Sequence, residues 1–142
     1  MVRAIFLLLL FATSLKAQLL QDPASKAQIT SGLNNLYQYD FKESTAIFNS
    51  LKAKYPRHPA PYLLLAMQWE QQYFPLKDHP AQSRNYLAHL EKAYELAQDL
   101  YDKNANDLEA SFFLHRFPRF FSGLRSWRAK FHEGRFLCQE GL

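Results

Sequence analysis

Between Ser25 and Tyr101 apolar residues recur at steps of three and four, and Pro56, Pro59, Pro75 and Pro80 interrupt the recurrence. That pattern confines the chain to helices joined by turns. A 3.6-residue period gathers such positions on one face, while a proline removes a backbone donor and disfavours helix in the residue before it. Residues 25–39 place Ala27, Ile29, Leu33, Leu36 and Tyr37 on a first helix. Gly32 inside that stripe costs about 1 kcal/mol relative to alanine, which predicts close approach of a neighbouring helix. Asp40 with Glu43 three residues on predicts a capping box for a second helix that carries Phe41, Ser44, Phe48, Leu51 and Tyr55. A third helix over 60–73 aligns Tyr62, Leu65, Ala66, Trp69 and Tyr73, with Leu63, Leu64 and Met67 widening its apolar surface enough to need cover on two sides. Residues 74–80 read as a loop. A fourth helix over 81–101 carries Tyr86, Leu87, Leu90, Tyr94, Ala97, Leu100 and Tyr101, and Asn106 with Glu109 is expected to cap a fifth starting at Asp107. Hairpin dipeptides and sustained alternation are missing from the sequence. The fold class is therefore all-α, with antiparallel helix pairs stacked as a short array and Trp69, Tyr86 and Tyr94 packed between helices.

The two helix pairs repeat. Ser25 and Pro59 start equivalent units 34 residues apart, which is the tetratricopeptide period. Gly32, Ser44, Phe48 and Pro56 stand at that family's small, small, aromatic and proline positions, and Tyr62, Leu65, Ala66 and Trp69 match its first helix in the second unit. About ten extra residues around 74–80 bring Tyr94 and Ala97 into register in the second helix of that unit. Gln28, Asn35 and Leu51 depart from the pattern. Residues 25–114 thus resemble an exported tetratricopeptide repeat protein. The resemblance implies a non-catalytic scaffold that binds a protein or peptide partner along a groove lined by Lys26, Ile29, Leu33, Leu36 and Tyr37 in one unit and Ala60, Leu63, Met67, Glu70 and Gln71 in the next. For Ile29 and Leu63 core packing is the competing role.

The ends differ from this body. Arg3 precedes an apolar run, Ala4–Ala12, too short to span a bilayer at about 20 residues but suited to a secretory signal peptide. Residues 1–17 read as that signal, cut after Ala17 or else after Ser14, with 18–24 as a short linker. The expected location is periplasmic or secreted, with no stable membrane span after cleavage; a buried N-terminal helix or a retained anchor is the alternative. Residues 18–117 hold ten Lys and Arg against eleven Asp and Glu. Nucleic-acid binding needs cations gathered on one surface, so it is not expected.

Candidate chemistry is sparse. His58, His79, His89, His115 and His132 form no metal-ligand spacing, and the lone Cys138 has no nucleophile context. No catalytic residue, cofactor or metal is assigned. The competing functions are a small exported helical enzyme and a membrane-associated helical protein that uses both chain ends.

Residues 115–142 read as an irregular basic tail, with Arg116, Arg119, Arg125, Arg128, Lys130 and Arg135 against Glu133 and Glu140. It is either a real segment that contacts lipid or a partner, or text read out of frame. Codons exist for the 23 residues from Phe120 that, read one nucleotide later, spell SSAAYAAGEPSSMKAVFFAKKAY, a helical pattern resembling a further repeat. Under that reading the array is cut inside a unit, and its uncapped C-terminal helix promotes self-association. Sequencing the locus is expected to show the repeat continuing in the shifted frame; an immediate stop there establishes the tail as native.

Overall fold

The computed structural model describes residues 19–116. The expected signal over 1–17, the tail from Phe117 onward, His132 and Cys138 lie outside the described residues. A single 3-10 turn, Leu19–Gln21, leads into five helices: α1 (Pro23–Tyr37), α2 (Phe41–Lys54), α3 (Pro59–Gln72), α4 (Pro80–Lys103) and α5 (Leu108–Arg116). A second 3-10 turn, Leu76–Asp78, lies between α3 and α4, and the described residues contain no strand. Each helix packs on the next, α1 on α2, α2 on α3, α3 on α4 and α4 on α5. Short turns at 38–40 and 55–58 make the first three successively antiparallel.

Prolines set the helix starts. Asp22 caps α1 and His58 caps α3, each through a bond to an early backbone N–H, with Pro23 and Pro59 in the first helical position. Proline suits that position because its missing N–H would have no helical partner there. Residues 18–24, expected as a linker, therefore supply both the α1 cap and the wholly buried Leu19. Pro80 likewise takes the first position of α4, where His79 makes no side-chain cap bond.

At the end of α1 the chain reverses through Tyr39, whose φ of 63° is left-handed. Tyr39 N–H donates to Leu36 O and Asp40 N–H to Asn35 O, the two bonds of a Schellman motif. Half of the expected capping box forms: Asp40 Oδ1 accepts from Glu43 N–H at 3.2 Å. Because the Asp40 N–H is bonded to Asn35, Glu43 has no donor to reach back to. At α5 the cap moves from Asn106 to Asp107, which accepts from Glu109 N–H at 2.9 Å and Ala110 N–H at 3.1 Å.

The core runs through α3. Leu63, Leu64, Leu65 and Ala66 are all buried, joined by Leu36 from α1, Phe48 and Leu51 from α2, and Leu90, Ala93 and Ala97 from α4. Two aromatics expected here lie elsewhere. Trp69 is only half-buried and stacks on Tyr73 at 5.4 Å, and Tyr94 is 42% exposed because Leu90, Ala93 and Ala97 occupy the inner face of α4. Phe48 is the aromatic at the centre, and the reason is Gly32. A Cβ at Gly32 would collide with the Phe48 ring edge and come within 3.1 Å of Ile47 Cγ2. Gly32→Ala is expected to lower the denaturant midpoint. Overpacking against a fully buried ring costs about 1–3 kcal/mol, which exceeds the helix-propensity gain of about 1 kcal/mol.

Candidate functional site

The residues expected to line a groove divide by their angle around each helix. On α1, Ser25, Gly32 and Leu36 share the buried meridian, and Leu36 is 1% exposed. Ile29 and Leu33 sit at its border, half-buried, while Lys26 is exposed and Tyr37 is 63% exposed. Lys26, Ile29, Leu33 and Tyr37 thus form a strip along one flank of α1, and Leu36 belongs to the core because it lies four residues beyond Gly32 on the face that meets α2.

On α3, Ala60 and Leu63 are core, with Leu63 7% exposed; this helix is covered on both sides and leaves few positions outward. Met67 is half-buried and Gln71 exposed. Glu70 is half-buried, which raises its carboxyl pKa. Burial, then the charge of Glu70, raises the phenol of Tyr86 on α4, so Glu70 lies toward that helix. The surface left from the ten expected positions is Lys26, Ile29, Leu33 and Tyr37 on α1 with Met67 and Gln71 on α3.

Two polar junctions lay outside the sequence reading. In the first, Asp22 Oδ2 accepts from Ser25 Oγ at 2.6 Å, Tyr55 Oη at 2.9 Å and Lys54 Nζ at 2.9 Å. Ser25 Oγ is also 2.8 Å from Tyr55 Oη and 3.2 Å from Lys54 Nζ. The start of α1 is thereby fastened to the end of α2. A serine beside a lysine and a tyrosine has the composition of a nucleophile with its base, but the electrostatics run the other way. Hydrogen bonds from Ser25, then Lys54 and Tyr55, hold the Asp22 carboxyl well below the usual carboxylate range. The bond to Asp22, then Tyr55, raises the Lys54 ammonium above its usual value. A protonated lysine has no lone pair to take a proton, and the Ser25 hydroxyl, wholly buried, is directed at Asp22.

In the second junction, His58 Nε2 is 2.8 Å from Glu109 Oε2, joining the α2–α3 turn to α5. This is a carboxylate–histidine pair, yet His58 Nδ1 accepts from Ala60 N–H at 3.2 Å. Both ring nitrogens are engaged, so the imidazole has no free site for general-base work.

Signals for these junctions were partial. Asp-Pro and His-Pro before a helical stripe mark cap and first turn, but Lys54 and Glu109 lie 32 and 51 residues from their partners. Among the described residues no group of three His, Cys, Asp or Glu could hold a metal ion, and no helix is long and apolar enough to cross a membrane. No protein-family model, curated protein or solved structure matches the chain.

Tyr55→Phe is expected to lower unfolding free energy by about 1 kcal/mol, the worth of one buried hydroxyl bond, with far-UV circular dichroism unchanged. Chemical denaturation checks it.

Proposed function

We propose that the chain is a non-catalytic helical-repeat scaffold, of tetratricopeptide type and exported from the cytoplasm, that binds a protein or peptide segment along the α1 flank. The observation that carries this reading is the strip Lys26, Ile29, Leu33 and Tyr37. It presents half-buried aliphatic groups beside an exposed tyrosine and a cation, and Leu33 and Tyr37 have their 34-residue counterparts in Met67 and Gln71. Stacked helix pairs use such a side for extended ligands, since each pair buries its apolar face on its neighbours and leaves one continuous surface. A rigid aromatic with two side-chain torsions gives contact area at small entropic cost. The engaged state of His58 and of the Ser25–Lys54 pair supports binding over catalysis. Export rests on residues 1–17 alone.

Tyr37→Ala tests the reading, because the side chain stands mostly in solvent and its loss leaves the core intact. Immobilised wild-type protein is expected to retain a partner from the extracytoplasmic fraction, and the variant, with an unchanged melting temperature, to retain it about tenfold more weakly, the effect of losing an interface residue worth 1.4 kcal/mol. Equal retention by both proteins overturns the α1 flank as the site. Turnover of ester or peptide substrates by the folded wild type overturns the non-catalytic assignment.

A further inference from the structure

The starts of three helical segments meet at one end of the array. Leu20 N–H, from the turn before α1, donates to Glu109 Oε1 at 3.0 Å, while Glu109 Oε2 takes the His58 bond at 2.8 Å. One carboxylate on α5 therefore holds both the N-terminal turn and the residue that caps α3. Beneath it lie Leu19 and Ala110, wholly buried, and Phe113, whose ring meets the His58 ring edge-on at 5.7 Å. The His58 and Glu109 side chains are 9% and 11% exposed.

The hydrogen bonds assign the imidazole tautomer. Nδ1 accepts the Ala60 N–H, so the proton of the neutral ring is on Nε2, facing Glu109. A second proton can go only to Nδ1, where it would confront the Ala60 N–H head-on. Protonation therefore removes the α3 cap whatever it does to the contact with Glu109.

We propose that His58 is an acid-released latch: uptake of a proton at Nδ1 frees the Ala60 N–H, loosens the joint among the Leu19–Gln21 turn, the start of α3 and α5, and uncovers Leu19 and Phe113. Burial holds the His58 pKa below its ordinary value of 6.5, against the opposing pull of the Glu109 and Asp107 carboxylates, which face it from α5 and the α5 cap. The other elements of the joint, residues 19–21 and 59–61, contain no ionisable side chain, and Arg57 in the adjoining turn is exposed. A histidine depressed in the folded state contributes stability above its unfolded pKa and loses it as pH falls through the folded value, so the latch opens on the acid side of neutrality.

Amide hydrogen exchange on the full chain, corrected for intrinsic rates, reads this directly. Protection at Leu20 and Ala60 is expected to fall with acidification, by up to about tenfold per pH unit between the unfolded and the folded pKa of His58 and levelling off below the folded one, while Leu51 in α2 changes less. His58→Asn keeps a side-chain cap but cannot titrate, and its protection at Ala60 is expected to be flat with pH. Glu109→Gln keeps one of the two acceptor oxygens, puts an amide NH2 in place of the other and removes the charge that favours the imidazolium, so the His58 ring titration followed by NMR is expected to move to lower pH. The proposal is overturned by wild-type protection at Leu20 and Ala60 that holds or rises on acidification, or by a midpoint that moves upward in Glu109→Gln. A His58→Asn response matching wild type also overturns it.

Discussion

Helix α3 carries apolar side chains around nearly its whole circumference, and a helix of that kind has no stable exposed state in water. Its burial requires α2 on one side and α4 on the other, so the middle of the array is obligatory once the α3 sequence is given. Gln68 is the buried polar residue of this helix. Its Nε2 reaches Thr45 Oγ1 and Phe41 O on α2, and its buried Oε1 has no hydrogen-bond partner. An amide so placed is costly to move along the α2 surface, because sliding strands its donor as well. It fixes how α3 sits against α2, where leucines alone would tolerate several offsets.

The outer helix is seated by a different device. Close approach of α1 depends on the absent side chain at Gly32, which lets the Phe48 ring fill the gap between the helices. The polar lock of Asp22 with Ser25, Lys54 and Tyr55 then closes the far end of the same pair. Packing sets the separation of α1 and α2, and hydrogen bonding sets their longitudinal position.

Much of this was readable from residue order. The four longer helices follow from three- and four-residue spacing, Gly32 announced a close contact, and Asp40 its cap. Features that depend on distant partners were not readable. Whether a face of α1 meets solvent or α2 is decided by where Gly32 allows approach, so Leu36 passed for a surface residue although it shares that meridian. Leu63 stood between groove and core in the sequence, and the cover that α4 gives to a second side of α3 places it in the core. Trp69 and Tyr94 illustrate the converse: helical spacing places them on an apolar stripe, yet smaller neighbours pack better at the centre and leave the large rings at its edge. Tyr39 carries no local mark of its left-handed backbone, since glycine or asparagine is the usual residue there.

Apart from the joint at Glu109, the described helices form a ladder in which each touches the next along the chain, an arrangement that resembles a linear lattice and is free to fray from either end. The Leu20 to Glu109 hydrogen bond spans 89 residues and joins the first described element to the last described helix. A ladder whose ends are tied becomes a ring of contacts. Neither end of the described stack can then detach without straining the other, so it is expected to melt as one cooperative unit instead of peeling away a helix at a time.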